Sequence, residues 1–346
     1  MQKRPTMYGI AEKLGISSGS VYRALNNKGR ISPQTRQRVL DAAKEMGYET
    51  NRVAQSLRRS PIRIGVILCC PVLDYLTDIC RGVHAALDEL RQFNVFADVR
   101  DFGAVNSEDR VEGIIRALDD FQRDGVQGAA LFLSGDNTLF SEKIQEMSAS
   151  GIRIATIAND VAGCARSLSI TADGTTAGRL ATQILALGCR SGWIAILTGK
   201  RKTGIHSSKV SGFLAELQEK GCYSDIDVIE HDGTGASVIE QMGRIFSDPV
   251  PDGVYISAAL SHSALAFFEK LETGSAQIFM TDLRMDQRQL LSSGKAVASI
   301  FQNPYRQCKH CIDRLYNQII NNTDKEEICR IIPQALFLSN LVLCEM

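Results

Sequence analysis

The hydrophobic pattern from residue 62 onward alternates between two kinds of segment. Short apolar runs of the strand type are followed by longer stretches whose apolar residues recur at helical spacing. The predicted strands are 64–69, 95–99, 128–133, 152–157, 192–198, 225–231, 253–257, 277–281 and 298–301. The predicted helices are 79–93, 108–124, 140–150, 174–187, 207–220, 236–246, 261–271 and 285–293, and residues 336–346 are strand-like. This alternation predicts parallel sheets with helical crossovers, and about 285 residues favour two lobes over one core.

The first 50 residues instead show three short helical patterns. Their predicted N-caps are Thr6, Ser17 and Ser32, and Gly15 and Gly47 are predicted to end the first and third helices. The residues predicted to face inward are Ile10, Ala11, Leu14, Val21, Ala24, Leu25, Val39, Leu40, Ala43 and Met46. Two helices joined by a tight turn and braced by a third predict a helix-turn-helix. The alternative is a generic three-helix bundle whose polar face is simply solvated.

Charge separates the two parts of this chain, whose formal net charge is zero. Residues 1–60 carry twelve Lys or Arg against four Asp or Glu, a net charge of +8, so the remainder carries about −8. The segment 51–59 is basic, contains no acid and has Val53, Ala54 and Leu57 on one helical face. Such an asymmetry is typical of a nucleic-acid module joined to a different kind of domain, and the basic segment is expected to become helical against DNA.

A long ordered series of motifs makes the DNA-binding interpretation more specific. The elements are Thr-x-Tyr-x-x-Ala-x-x-x-Gly-Ile-Ser at 6–17, Val-x-Arg-x-Leu-Asn at 21–26, Ile-Ser-Pro-x-Thr-Arg at 31–36, Gly-Tyr at 47–48 and Asn-Arg-Val-Ala-Gln-x-Leu at 51–57. Together they resemble the headpiece and hinge of the lac-repressor (LacI-type) family of bacterial transcription regulators. The resemblance implies that the helix beginning near Ser18 lies in the major groove. It also implies that Leu57 wedges between base pairs in the minor groove.

The resemblance further implies a set of DNA contacts. Ser18, Gly19 and Arg23 stand at base-reading positions, and Ala54 lies with Leu57 where hinge helices meet. The full set is Thr6, Tyr8, Ser17, Ser18, Gly19, Ser20, Tyr22, Arg23, Asn26, Thr35, Asn51, Arg52, Ala54, Gln55 and Leu57. Gly9 and Tyr22 depart from the family pattern, in which an acid and a small polar residue are usual. Because Gly19 has no side chain, direct readout rests on Ser18, Arg23 and Tyr22.

The remaining chain resembles the periplasmic-binding-protein-like effector domain of the same family. The matching pieces are Asp-Gly-x-x-Ala-Gly from Asp173, Lys-x-x-Gly-Phe from Lys209, Thr-Asp-Leu at 281–283 and Gln-Asn-Pro at 302–304. The expected domains are a headpiece at 1–50, a hinge at 51–60 and an α/β effector-binding and dimerisation domain at 61–346. Crossings between lobes are expected near Leu168, Ile300 and Ile328. The lobes would then span roughly 61–168 plus 300–328, and 169–299 plus 329–346.

Polar residues at strand ends suggest a ligand cleft between the lobes. The candidate effector-binding residues are Asp74, Tyr75, Asn159, Asp160, His206, Lys209, Asp282 and Gln302. A carboxylate can accept sugar hydroxyls, and the ring of Tyr75 can stack on an apolar sugar face. Alternatively these groups cap helices or line a hinge, and Asp173 is predicted to be a helix N-cap. The family usually has Arg at Lys209 and an Asn-Asp pair at Ala258 and Ala259, so the pose of an ordinary hexose is not implied.

Other chemical patterns carry little weight. Gly-Ile-Ser-Ser-Gly at 15–19 matches a hydrolase elbow, but no strand precedes it. Cys308 and Cys311 have no second Cys/His pair at zinc-finger spacing, and no G-x-G-x-x-G follows the first strand. We therefore expect no metal and no cofactor. Ten scattered cysteines, with neither a signal peptide nor a membrane-length apolar run, favour a reducing cytoplasm.

Three classes of function follow from these patterns. The favoured one is a homodimeric repressor that binds double-stranded operator DNA and responds to a small molecule, expected to be a sugar or sugar derivative. The second is a solute-binding protein without a transcriptional role, which would need an export signal in place of the headpiece. The third is an α/β enzyme, which would need a nucleophile or metal constellation at strand ends, and none stands out.

Overall fold

The structure, a computed structural model, comprises two compact units. It describes residues 5–25, 29–48, 56, 59–70, 73–103, 107–134, 137–161, 163–188, 192–201, 204–221, 225–232, 234–247, 249–258, 260–282, 285–323 and 325–344. One unit contains residues 1–60 together with 92–94, and the other contains 61–91 and 95–346.

The first unit contains three helices, each with a polar start. They are α1 Met7–Leu14, α2 Ser18–Leu25 and α3 Pro33–Glu45. The predicted caps are confirmed, because the hydroxyls of Thr6, Ser17 and Ser32 accept the amides of Gly9, Ser20 and Thr35, each at 3.1 Å. Gly15 and Gly47 adopt φ of 64° and 62°, the left-handed conformation that ends a helix most easily at glycine.

A small apolar core holds the three helices together. It consists of the buried residues Ile10, Ala11, Val21, Ala24, Val39, Ala42 and Ala43. The inward assignment of Leu40 was wrong, since this side chain is 38% exposed. Ala42 takes its place, because Val39, Ala42, Ala43 and Met46 lie on one stripe at spacings of three and four residues.

The first lobe of the second unit is built on a six-stranded parallel sheet. Its strands are β1 Ile62–Cys69, β2 Val95–Asp101, β3 Gly128–Leu133, β4 Arg153–Ile157, β5 Leu168–Ala172 and β11 Glu327–Ile331. They lie in the order β11-β5-β4-β3-β1-β2. Its helices are α4 Leu73–Arg91, α5 Ser107–Arg123, α6 Ser141–Ala149 and α12 Pro304–Asn321, with a 3-10 turn at Asn137–Phe140. The central strand β3 is buried throughout, as expected of a parallel strand covered on both faces.

The second lobe repeats this plan. Its strands are β6 Trp193–Gly199, β7 Asp225–His231, β8 Gly253–Ile256, β9 Gln277–Thr281, β10 Ala298–Phe301 and β12 Gln334–Leu336. They lie in the order β12-β10-β9-β8-β6-β7, and β12 is antiparallel to β10. Its helices are α7 Gly174–Gly188, α8 Gly204–Lys220, α9 Gly235–Ile245, α10 His262–Lys270 and α11 Met285–Ser292. The predicted two-lobed α/β architecture is confirmed, but the strand-like end of the chain forms a 3-10 helix at Leu338–Cys344.

The chain passes between the two sheets at three places. These are the connections from β5 to α7, from β10 to α12 and from β11 to β12. The expected crossings near Leu168, Ile300 and Ile328 precede the observed ones by a few residues. The reason is that Leu168–Ala172 and Glu327–Ile331 pair with each other in the first sheet and continue to its carboxyl edge before the chain leaves.

Close contact between α7 and α8 explains two of the motifs noted in the sequence. A Cβ at Gly178 would collide with the backbone carbonyl of Lys209, and one at Gly212 would collide with the carbonyl of Thr175. The glycines therefore allow the two helix backbones to touch. This contact fixes the position of the Lys209 backbone on α8 relative to α7.

Candidate functional site

The second helix of the headpiece presents a polar, acid-free surface. Ser18 and Ser20 are half-buried, whereas Gly19 and Arg23 are exposed and the Tyr22 side chain is 39% exposed. The opposite side of α2 is the buried pair Val21 and Ala24. This arrangement leaves hydroxyl and guanidinium donors available to phosphates and base edges.

Several candidate DNA contacts also stabilise the headpiece. Thr6 and Ser17 cap α1 and α2, and the Thr35 hydroxyl lies 2.7 Å from the Ser32 hydroxyl at the start of α3. Tyr8 is 73% exposed on α1. These hydroxyls lie at helix N-termini, where the helix dipole favours an anion such as a phosphate. The remaining candidate DNA contacts of the headpiece and hinge lie outside the described residues; they are Asn26, Asn51, Arg52, Ala54, Gln55 and Leu57.

In the second unit, three predicted residues converge into a buried polar cluster. Lys209 is 2% exposed, Asp282 is 4% exposed and Gln302 is 7% exposed. The side-chain amide of Gln302 donates to both carboxylate oxygens of Asp282, at 2.8 and 2.9 Å. The Lys209 ammonium donates to the Ser257 carbonyl at 3.0 Å. Asp282 and Gln302 directly follow the carboxyl ends of β9 and β10, and Lys209 comes from α8. Because Gln302 stands in the connection from β10 to α12, the cluster lies where the lobes are joined.

The backbone at Asp282 is held in an unusual conformation. Its φ of 72° is left-handed, which is uncommon for a residue with a side chain. The Asp282 amide donates to the Ile300 carbonyl at 2.9 Å, and the Ser299 hydroxyl donates to the Asp282 carbonyl. Strain of this kind persists only when surrounding bonds fix it, and it occurs often at functional sites.

Burial makes Lys209 lose its proton at a lower pH than an exposed lysine does. It lowers the pKa of Lys209 to about 8, although the charge of Asp282 acts in the opposite direction. The same carboxylate affects Tyr75 of the first lobe. Burial, and to a smaller extent the charge of Asp282, raise the pKa of the Tyr75 phenol well above the usual value. The Tyr75 ring also packs at a tilt against Phe132, with centroids 6.3 Å apart. Tyr75 of one lobe therefore lies within electrostatic reach of Asp282 of the other.

His206 lies on α8, one turn before Lys209. Its ring packs so closely on Gly199 that a Cβ there would be 2.6 Å from Nε2. Burial, together with the charges of Lys209 and His231, lowers the pKa of His206 to about 4. The imidazole is therefore neutral near pH 7.

Asn159 and Asp160 take part in a local network of the first lobe. The Asn159 amide donates to the Leu133 carbonyl at 3.1 Å. Asp160 accepts from the Thr156 hydroxyl at 2.9 Å and pairs with Arg166 at 2.6 Å. These bonds give both residues a structural role at the ends of β3 and β4. Asp74 lies in the first turn of α4, which begins six residues before the predicted helix, and its side chain is outside the described set.

Sequence reasoning missed other polar groups near the cluster. The hydroxyls of Thr198 and Ser257 are fully buried, and neither has a hydrogen-bond partner among the described residues. Strand register explains their proximity, because Leu197 lies opposite Ile256 and the next residue of each strand carries the hydroxyl. Gln307 on α12 donates to the Gln302 carbonyl at 2.8 Å. Asp173, in contrast, is the predicted N-cap, accepting the amide of Thr176 at 3.0 Å.

Within the described part of the chain, no group of three or more His, Cys, Asp or Glu side chains is arranged to hold a metal ion. Cys308 and Cys311 are both fully buried on α12. No described helix combines the length and apolar character needed to cross a membrane.

Sequence comparisons place both units in known families. Residues 6–51 match the family described as bacterial regulatory proteins, lacI family, and residues 64–323 match the periplasmic binding protein domain. The chain is 25% identical over 255 residues to catabolite control protein A of Priestia megaterium, covering 72% of this chain and 73% of that protein. It is 26% identical over 268 residues to the ribose operon repressor of Bacillus subtilis, covering 75% and 76%.

The fold has a counterpart among solved structures. The lac repressor dimer bound to operator and the anti-inducer ONPF matches with a TM-score of 0.60 at 21% identity, over 96% of this chain and 98% of that one. At this identity the match shows the shared fold. With a helix-turn-helix headpiece followed by a two-lobed binding domain, the chain belongs to the lacI family of bacterial regulatory proteins and is a DNA-binding transcription regulator.

Proposed function

We propose that the protein is a homodimeric cytoplasmic repressor whose operator affinity is controlled by a sugar or sugar derivative held between the two lobes. The observation that carries the ligand part is the buried cluster of Lys209, Asp282 and Gln302 at the junction of the lobes. Catalysis, metal ions and cofactors have no part in this proposal.

The headpiece supports the DNA part of the proposal. Its second helix offers Ser18, Arg23 and the exposed Tyr22 on a surface free of acids. A single headpiece buries little surface, so two copies on a near-palindromic site are needed for tight binding. By the family resemblance, Thr6, Tyr8, Ser20 and Thr35 contact phosphates, and the hinge around Leu57 enters the minor groove.

The polar cluster suits a polyhydroxylated ligand. The Asp282 carboxylate accepts hydroxyl hydrogens, the Lys209 ammonium donates to ring or hydroxyl oxygens, and Tyr75 offers an aromatic face for C–H groups. The ribose operon repressor among its relatives is consistent with a carbohydrate. The different residues at Ala258 and Ala259 argue for a pose unlike that of an ordinary hexose.

The DNA part is tested by selecting duplexes from a random library with the full-length protein. Recovery of a near-palindromic sequence, bound with a steep salt dependence, supports a repressor. Sedimentation on that duplex should give two protein chains per site. Retention of no sequence at all would favour the alternative, a solute-binding protein without a transcriptional role.

The ligand part is tested by thermal shift of the full-length protein with a panel of pentoses, hexoses, cyclic polyols and their phosphates. The panel is repeated with Asp282→Asn, and with Glu240→Gln as a control, because Glu240 is an exposed acid of the same lobe that pairs with Arg244. We expect the shift of the best ligand to disappear in Asp282→Asn alone. A shift that survives in Asp282→Asn would move the site away from the cluster.

A further inference from the structure

The Arg23 side chain of α2 lies in a defined conformation. Its guanidinium Nη2 donates to the Ser20 hydroxyl at 3.2 Å, one turn earlier on the same helix. Long side chains in helices lean toward the N-terminus, so this direction requires no distortion. The guanidinium thereby lies over the first half of α2.

Two glycines leave the space that this conformation needs. A Cβ at Gly19 would be 3.8 Å from Nη1 of Arg23, so the guanidinium borders the area that a side chain at 19 would cover. A Cβ at Gly29 would be only 3.1 Å from Cδ of Arg23, and Gly29 has a left-handed φ of 68°. Arg23 therefore fills the surface beside Gly19, with its aliphatic stem against Gly29.

The Ser20 hydroxyl is already engaged on both sides. Besides accepting from Arg23, it lies 3.0 Å from the Ser17 hydroxyl, which itself accepts the Ser20 amide. A hydroxyl has one hydrogen to donate, and the Ser17–Ser20 bond uses one of the two that this pair possesses. The other O–H of the Ser17–Ser20 pair remains available to a phosphate, and the Ser20 oxygen accepts from Arg23.

From these contacts we infer that Ser20 is a positioning residue for sequence readout. It holds the Arg23 guanidinium beside Gly19, which has no side chain, so that this one guanidinium reads the base edge that faces residues 19 and 23. This inference rests on the proposed role of α2 in the major groove. Arginine pairs best with guanine, through O6 and N7, and an ordered guanidinium loses less freedom on binding than a mobile one. The role differs from the phosphate contact that the family resemblance implies for Ser20.

The two roles predict different kinds of loss. A phosphate contact carries no sequence information, so its removal weakens binding equally on every duplex. A positioning contact affects only the base pair that Arg23 reads. The pattern of the loss across duplexes therefore separates the two roles.

The test uses full-length protein and the duplex that wild-type protein selects from a random library, with every single-base-pair variant of that duplex. Ser20→Ala, Ser20→Thr, Arg23→Ala and the double variant Ser20→Ala with Arg23→Ala are compared. Gln37→Ala is the control, because it removes an exposed side-chain bond to Asp41 on α3. The Ser20 amide, which the Ser17 cap accepts, is retained in Ser20→Ala, and helicity by circular dichroism verifies folding.

We expect Ser20→Ala to reduce discrimination about threefold to tenfold at the base pair where Arg23→Ala also reduces it, with little effect elsewhere. The double variant should lose no more than Arg23→Ala, and Ser20→Thr, which retains the hydroxyl, should restore discrimination. A uniform loss on all duplexes would overturn the inference, as would unchanged discrimination. If wild-type protein selected no sequence, the proposed function itself would fail instead. If Ser20→Ala does not fold, the affinities of Ser20→Thr for the same set of duplexes decide. A phosphate role allows an equal change in affinity on every duplex, and a positioning role does not.

Discussion

At the scale of the residue, Lys209 is the most informative group in the ligand-binding unit. Its ammonium is almost fully buried, and the Ser257 carbonyl is its one hydrogen-bond partner among the described residues. A buried ammonium with hydrogens left over needs another acceptor. We propose that a ligand oxygen is that acceptor, and this makes the protonation state of Lys209 a condition for binding.

The first prediction is that ligand affinity falls above pH 8. A ligand that accepts from the ammonium binds the protonated form, so its dissociation constant should be constant near pH 7. It should then rise by up to about tenfold per pH unit above the Lys209 pKa of about 8. His206, with a pKa of about 4, stays neutral in this range, and the raised pKa of Tyr75 keeps its phenol protonated. Calorimetric titration from pH 6.5 to 9.5 with the best carbohydrate of the panel measures the profile.

The control for this profile is Lys209→Arg, which retains a cation throughout the range. Its affinity should be independent of pH up to 9.5. Alkaline unfolding can be distinguished from loss of ligand binding by the direction of the change with pH. Because the folded pKa of Lys209 lies below its unfolded pKa, the unfolded chain binds more protons at pH values between these two. The contribution of Lys209 to stability therefore rises with pH, while ligand affinity falls. Identical profiles for wild type and Lys209→Arg would exclude Lys209 from the ligand contacts.

The sequence points to candidate site residues where a polar residue follows an apolar strand, and their role as ligand contacts stays a prediction. Asp282 and Gln302 were found in this way, and the structure brings them together. Thr198, Ser257 and Gln307 were missed, because nothing in the sequence distinguishes them from ordinary polar residues. Their positions depend on strand register and on the return of the chain through α12, which are long-range properties.

At the scale of the element, the contact of α7 with α8 is the most constrained feature near the cluster. Gly178 lies against the Lys209 carbonyl, and Gly212 against that of Thr175. Each obstacle is backbone, which moves only with its whole helix. The crossing therefore transmits any displacement of α7 directly to the residue that we propose as a ligand contact.

The second prediction is that Gly178→Ala destabilises the protein by about 2 kcal/mol or more, because the added methyl group forces the helices apart. Gly243→Ala on α9 is the matched control. Apart from the adjacent residues and the nearby backbone of α9, no atom of the described residues lies within 4 Å of the methyl group that it adds, so it should stabilise the protein by about 0.5–1 kcal/mol through helix propensity. Urea denaturation followed by circular dichroism measures both. Equal effects of the two substitutions would contradict the close crossing.

Prediction of elements succeeded for segments that carry their own signal. The predicted strands at 128–133, 225–231, 277–281 and 298–301 have the observed bounds. No element was predicted for β5, β11, β12 or α12. Strands β5 and β11 are short and pair with each other across some 160 residues, so the stability of each depends on a partner that local patterns do not reveal. Helix α12 follows the crossover closely, and its start at Asn303 and Pro304 resembles a turn in the sequence.

At the scale of the whole molecule, the two units have net charges of opposite sign and separate hydrophobic cores. Ligand binding and DNA binding are therefore coupled only through an equilibrium between forms of the whole protein. A ligand alters operator affinity only if it binds the DNA-bound and DNA-free forms unequally. By linkage, the factor by which a saturating carbohydrate changes operator affinity must equal the factor by which operator changes carbohydrate affinity. By the family resemblance, residues 51–60 connect the two units. Within this segment, Leu57 is the residue expected to wedge between base pairs and deform the DNA.

The third prediction concerns this hinge. If Leu57 wedges between base pairs, Leu57→Ala should weaken binding to the selected duplex about tenfold to a hundredfold, corresponding to the loss of one buried leucine side chain. Binding to random duplex should change little, since it depends on phosphate contacts. Leu40→Ala is the control, because it makes the same chemical change at a leucine that is 38% exposed on α3, and it should leave the ratio of the two affinities unchanged. Equal weakening on selected and random duplex by Leu57→Ala would mean that the hinge contributes charge or folding but no wedge, and specificity would then rest on the headpiece alone.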